Sequence, residues 1–382
     1  MKNTLSVLMI AMIFVLAVSI FATADFLYGV HSQPGFFVGV EMAYANATFT
    51  DVKELVDEVK GYTNLFVIGS PEFSLNQTLL NMTCDYVFDA GLYFIVLFTD
   101  TRQYDIDNKP SVWIPKAKQT YGEKFLAVYR YDEPGGRVLD RDPDSLINEM
   151  AVGADRNYSY AAGSYVELLY GHMAYYLYAS PSLLTADYGL YWFDYKGGYN
   201  SVLAEFGSNH SKELNVALCR GAARAHDRDW GAIVTWTYNS APYIESADEL
   251  YRDLILSYRA GAKYAVVFDY PKIGRYGILT RSHLDALRDF WNYVQSNSHD
   301  HGVERGEVAY VLPAGYGFGF RSAVDHVWLW DADNWSRKVW EDANRLVGQY
   351  GSRLDIVYDD QETFGDVAVR YDKLFFWNET VP

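Results

Sequence analysis

Cysteine is nearly absent from this chain. Cys84 and Cys219 are the only two in 382 residues, which allows at most one disulfide, and both fall in helical patterns far apart, so they read as buried thiols. Basic residues are scarce as well. Lys and Arg number 32 against 49 Asp and Glu, a formal net charge of -17, and that balance argues against a nucleic-acid partner, which needs basic surface to neutralise phosphates. Familiar catalytic signatures are missing, for no H-E-x-x-H, C-x-x-C or G-x-S-x-G occurs. Gly315, Gly317 and Gly319 lack the lysine and helix cap of a phosphate loop and read as a flexible aromatic-glycine loop. His299-Asp300-His301 has a metal-like composition but sits in a polar, solvated linker, so no metal or cofactor is expected.

Aromatic residues are abundant, with 33 Tyr, 21 Phe and 10 Trp making 17% of the chain. Aromatic-rich clefts suit sugars, whose C–H faces stack on rings. Half of the chain is apolar, enough for a sizeable core in one large domain or two ordinary ones. At the N-terminus Lys2 precedes an apolar segment from Leu5 to Phe21 and the small-x-small site Ala22-Thr23-Ala24. Residues 1–24 therefore read as a secretory signal peptide cut after Ala24, or, uncut, as a membrane tether. N-x-[S/T] acceptors at Asn46, Asn76, Asn81, Asn157, Asn209, Asn334 and Asn378 agree with a glycoprotein that is secreted or held at the outer face of the cell membrane.

Past the signal, strand-length apolar runs alternate with amphipathic helical stretches. The runs are Phe36 to Val40, Leu65 to Ile68, Tyr93 to Phe98, Phe125 to Tyr129, Leu183 to Ala186 or Leu190 to Phe193, Ser201 to Ala204, Ala232 to Trp236 and Tyr264 to Phe268. A helix over 50–60 is expected to be capped by Thr50-Asp51, and another spans 75–89. The Tyr- and Ala-rich helix from Tyr158 to Tyr178 has few charges and is expected to be well buried. Eight such units predict an α/β fold, a (β/α)8 TIM barrel over residues 34–298. A polar stretch over 296–306 then leads to a small α/β domain over 306–382, with strands at Val308 to Leu312, Leu354 to Tyr358 and Leu374 to Trp377 and a helix from Ser336 to Gln349.

In such a barrel the chemistry sits at the carboxyl ends of the strands. The fourth run ends in Tyr131-Asp132-Glu133-Pro134-Gly135-Gly136, placing two adjacent carboxylates at the end of a buried strand. Each loses hydration and repels the other, which raises a pKa toward that of a general acid. Glu41, Asp100, Asp187 or Asp194, Glu205 and Asp269 follow other runs, interleaved with Tyr131, Trp192, Tyr195, Trp236, Tyr238 and Tyr270. The plainer alternatives pair Glu133 with Arg130 or Arg137, Glu205 with Arg220 or Lys212, and let Asp269 cap a turn.

The strand order, the pair after strand 4, the aromatic rim and the secretory start resemble the TIM-barrel glycoside hydrolases. The small domain is similar in placement to the amidotransferase-like domain of some β-galactosidases. The resemblance implies a carbohydrate substrate and carboxylate acid/base catalysis by Glu133, Asp132 and Glu205, with Glu41, Asp194, Trp192, Trp236, Tyr238 and Asp269 binding substrate. The large retaining clan ends strand 7 in a glutamate, whereas this chain reads Ile233-Val234-Thr235-Trp236. Two layouts remain: carboxylates after strands 4 and 6 as in α-galactosidases, or an adjacent Asp-Glu pair as in β-N-acetylhexosaminidases, where Asp132 orients the substrate acetamide. A non-catalytic glycan-binding or cell-surface structural glycoprotein is the alternative function.

Overall fold

The computed structural model describes residues 34–98, 109–145, 155–208, 210–361 and 363–382, so the expected signal segment, Asp100 and Asn209 lie outside the described residues. Eight parallel strands close into a barrel in sequence order. They are β1 (Phe37–Met42), β2 (Leu65–Ile68), β3 (Tyr93–Phe98), β4 (Phe125–Arg130), β5 (Leu183–Asp187), β6 (Ser201–Phe206), β7 (Asp229–Val234) and β8 (Tyr264–Asp269). Closure is made by β8 pairing with β1, from Phe37 opposite Tyr264 to Met42 opposite Asp269.

Between the strands run α1 (Phe49–Val59), α2 (Pro71–Leu75), α3 (Gln77–Asp89), α4 (Pro110–Tyr121), α5 (Pro134–Leu139), α6 (Tyr158–Ala179), α7 (Tyr191–Gly197), α8 (Lys212–Ala225) and α9 (Ala247–Arg259), with α10 (Arg281–Ser296) after β8. Side chains alternate along each strand. Phe37, Leu65, Val67, Ile95, Tyr129, Leu203, Ile233 and Val266 fill the barrel interior, while Val38, Val40, Phe66, Val96, Val202 and Val267 belong to the core beneath the helices. Side chains thus fill the barrel interior below its mouth.

Local chemistry moved several expected boundaries. Thr48, not Thr50, caps α1, because Thr48 and Asp51 form a reciprocal capping box. Asn76 breaks the expected 75–89 helix and caps α3 through Leu79 N at 3.0 Å. Leu190 to Phe193, the second candidate for strand 5, opens helix α7 instead. The helix α6 is not well buried as expected: Tyr165, Leu169, Met173 and Tyr176 face the core while Tyr160, Tyr170, Tyr175 and Tyr178 are exposed. Tyrosine supplies apolar area and a hydroxyl for water, so a chargeless face need not be an interior one.

After α10 the chain forms β9 (Val308–Pro313), α11 (Ser336–Tyr350), β10 (Leu354–Asp359), α12 (Phe364–Ala368) and β11 (Lys373–Phe376). The three strands make a parallel sheet of order β10-β9-β11, a small α/β unit following the barrel. Phe36–Pro382 is one compact body. Arg220 of α8 reaches the sheet, its Nε 2.7 Å from Asp355 Oδ1 and its Nη1 2.8 Å from Glu304 O. The glycine-aromatic loop is packed rather than flexible, for Tyr316 and Phe318 are buried and a Cβ on Gly317 would overlap the Trp328 indole. His301 is likewise tied down, with Nε2 2.8 Å from Ala262 O, while His299 is exposed.

Both cysteines are free and buried. The described acceptor asparagines Asn46, Asn76, Asn81, Asn157, Asn334 and Asn378 are all exposed. No helix among the described residues is long and apolar enough to cross a membrane.

Candidate active site

Strand β4 delivers its chemistry through a strained corner. Tyr131 and Glu133 both have left-handed backbones, with φ of 56° and 53°, a conformation that costs a non-glycine residue about 1 kcal/mol or more and persists only where neighbours enforce it. The enforcement comes from β5. Glu133 N donates to Ala186 O at 3.0 Å, and the Asp187 carboxylate accepts from Gly135 N at 2.6 Å, Gly136 N at 2.8 Å, Tyr188 N at 2.7 Å and Gly189 N at 3.1 Å. The Gly-Gly pair is required by this approach: a Cβ on Gly135 would lie 2.6 Å from Gly189 O, and one on Gly136 would overlap the Tyr188 ring.

Asp187, rather than Asp194, therefore ends β5. Asp194 lies on α7 below it, fully buried, with Oδ1 accepting from Tyr165 OH at 2.5 Å. Its other oxygen, Oδ2, is buried with no hydrogen-bond partner among the described residues, and burial, then the Asp187 charge, raises the group. Burial pushes Asp187 up to about 7 despite its four backbone donors. The pair braces the corner from beneath and takes no part in the cleft lining.

Glu133 and Glu205 meet across the mouth. Glu205, on β6, is within hydrogen-bond reach of Glu133. Burial first, then the charges of Asp132 and Asp187, pushes Glu133 up to about 8, against the opposing Glu205 hydrogen bond and the Arg137 charge. Glu205 is raised by burial and by the charges of Glu133 and Asp132. Arg137 is engaged elsewhere, its Nη2 2.6 Å from Asp142. The alternatives for Glu205 fail on geometry, because Arg220 pairs with Asp355, and Lys212 pairs with Glu245 and Asp253 at 3.1 Å.

Asp132 faces the barrel axis, accepting from Tyr129 OH. It is open to the cleft yet surrounded by protein on its other sides, and burial raises it. Glu41 of β1 lies beside it, raised by burial and then by the Asp132 charge. It packs against Gly69, where a Cβ would overlap its carboxyl group.

The cleft has two lobes. A deep lobe of about 270 Å³ is lined by Glu41, Tyr129, Asp132, Trp236, Phe268 and Tyr270, among others. An outer lobe of about 280 Å³ is lined by Asp140, Tyr188, Gly207, His210 and Arg321. Glu133, Glu205, Ser208 and Thr235 line both, so the carboxyl pair stands at their junction. Trp236 and Tyr270 stack nearly parallel, centroids 5.8 Å apart at 7°, and Trp236 Nε1 donates to Tyr270 O at 2.6 Å.

Besides Asp194, three more expected binding residues stand apart from this lining. Trp192 packs against His226 and Tyr358, with centroids 4.9 and 5.1 Å away, on the side facing the C-terminal sheet. Asp269 accepts from Tyr44 OH at 2.6 Å, Ile278 N at 2.7 Å and Leu279 N at 3.0 Å, and so pins the loop after β8. Tyr238 is 46% exposed beyond the rim. Conversely, Arg321 was not visible in the sequence as a site residue: it comes from the loop after β9, and its guanidinium is held by Asp325, Nη2 to Oδ1 at 2.7 Å, and by Asp140.

No family model matches the chain, and no curated protein matches it in sequence. Among solved structures, a GH5_18 protein from Bifidobacterium longum subsp. infantis superposes with a TM-score of 0.53 at 12% identity, covering 90% of this chain and 97% of that one. The fold is a (β/α)8 TIM barrel, shared with that protein. That coverage extends beyond the barrel into the C-terminal unit. A β-glucanase from Saccharophagus degradans in complex with cellotetraose superposes with a TM-score of 0.42 at 11% identity, over 68% of this chain and 88% of that one. A glycoside hydrolase family 5 protein from Bacteroides vulgatus gives 0.41 at 11% identity, over 68% and 66%.

Proposed function

We propose that the chain is an extracytoplasmic glycoside hydrolase in which Glu133 is the general acid and Glu205 the partner carboxylate. The observation that carries this reading is the contact of Glu133 with Glu205 at the junction of the two lobes. Two glutamates side by side at the junction supply the two carboxyl groups that glycoside cleavage needs, one to donate a proton and one to face the anomeric carbon. A glycan lying across the junction puts one sugar in the aromatic deep lobe and the next in the polar outer lobe. Glu133 then protonates the bridging oxygen while Glu205 faces the anomeric carbon.

β7 contributes Thr235 in place of a carboxylate, so the strand 4 and strand 6 layout carries the reaction. The extracytoplasmic setting rests on the apolar segment from Leu5 to Phe21 and on the exposed acceptor asparagines.

The test is release of reducing ends from a glycan panel by the wild type, Glu133→Gln and Glu205→Gln. Each variant is expected to lose about a hundredfold or more in kcat/KM. Full activity in Glu133→Gln overturns the role given to it. Wild-type protein that retains oligosaccharides without shortening them overturns the hydrolase and leaves a glycan-binding protein.

A further inference from the structure

Acid-base cleavage uses two carboxyl groups, and the deep lobe contains four. Glu41 and Asp132 stand beside Glu133 and Glu205, and no lysine, arginine or histidine is among the described residues that line this lobe. Glu41 is 4% exposed, and its Oε2 has no hydrogen-bond partner among the described residues. A buried carboxylate oxygen without a donor is costly. Asp132 is different: one oxygen is satisfied by Tyr129 OH and the side chain opens to the cleft.

The rest of the wall is aromatic, made by Tyr129, Trp236, Phe268 and Tyr270. A neutral sugar supplies hydroxyl donors to Glu41 but brings no positive charge to the two surplus carboxyl groups that stand side by side. An ammonium group supplies up to three donors and a positive charge together, and ring faces attract cations. Carboxylates and aromatic faces around one small space are therefore matched to a cation more closely than to a polyol.

We propose that the deep lobe takes an amino sugar bearing a free ammonium group, held between Glu41 and Asp132 beside the Trp236 and Tyr270 rings. Where cleavage is concerned this rests on the hydrolase reading, and the substrate is then a glycan containing unacetylated hexosamine. The binding half stands without it.

The experiment compares glucosamine, N-acetylglucosamine and glucose as ligands of the wild-type protein by calorimetry, then oligomers of the same three sugars as substrates. Glucosamine is expected to bind at least tenfold more tightly than either of the others, and Glu41→Gln to bring that ratio to within about twofold. Equal binding of the three sugars by the wild type overturns the proposal, whether or not the variant folds. Preference for the N-acetylated sugar also overturns it and assigns Asp132 to an acetamide. Tight glucosamine binding without cleavage of any oligomer leaves this proposal standing and removes the hydrolase reading.

Discussion

Arg220 and Asp355 meet at 2.7 Å with side chains 4% and 0% exposed, joining barrel helix α8 to strand β10. The pair settles two questions. It anchors the C-terminal sheet to the barrel, and it engages the arginine that the sequence offered as a partner for Glu205. Asp355 also accepts from Arg224 at 2.7 Å and from Tyr371 OH at 2.8 Å. Removing one partner of a buried, hydrogen-bonded ion pair costs about 3–5 kcal/mol. Urea unfolding of Asp355→Ala is expected to show a loss of that size; a loss below about 1 kcal/mol would contradict the anchoring role.

Acidity should govern stability in an unusual direction. Glu133, Asp187 and Asp269 are pushed up to about 8, 7 and 6, each by burial above all. In the unfolded chain such groups titrate near about 4. Between those values the folded protein holds protons that the unfolded chain has released, so stability is full below about pH 4 and is lost as pH rises toward 8, at up to about 1.4 kcal/mol per pH unit and group. Melting temperature measured from pH 5 to 8 should fall, and fall less steeply in Glu133→Gln. An unchanged slope in that variant places the titration elsewhere.

Activity should follow the same proton. With Glu133 as the acid, kcat/KM is expected to decline above about pH 8 as the proton is lost. A profile still rising at pH 9 would be incompatible with that assignment.

Trp236 distinguishes a sugar platform from barrel packing. If its ring carries substrate, Trp236→Ala should lower kcat/KM by about tenfold, equivalent to roughly 1.4 kcal/mol, and Trp236→Phe should recover much of it. A change confined to melting temperature would make the residue purely structural.

Asp269 offers the opposite contrast. Asp269→Ala leaves Ile278 N, Leu279 N and Tyr44 OH without their acceptor, a loss of about 1–3 kcal/mol for each group that stays buried and unpaired. The expected result is a clear drop in thermal stability with kcat/KM retained to within about threefold once the protein is folded. Loss of turnover without loss of stability would return Asp269 to the cleft.

Much of the barrel was legible because its strands are short, apolar and followed by polar residues, and the period of two leaves little choice of register. Glu41, Glu133 and Glu205 were readable for the same reason. Asp187 and Asp194 were not separable, since both follow apolar runs of similar length; the deciding signal was the Gly135-Gly136 pair, whose N–H groups need a carboxylate opposite. Trp192 misled because a four-residue apolar run at Leu190 to Phe193 has no period that tells a strand from the start of a helix. Arg321 left no trace, as nothing local in a loop beyond the barrel indicates where it returns.

That returning loop makes the barrel inseparable from the C-terminal unit. Arg321 holds Asp140, Arg141 reaches Asp331 at 2.6 Å, and His326 Nδ1 contacts Leu139 O, all at the end of α5 just past the Tyr131–Glu133 corner. Cutting the gene after the eighth unit would remove one bank of the cleft and unclamp the helix that follows Glu133, the proposed acid, so shuffling of this barrel onto other partners would have to bring a substitute wall with it.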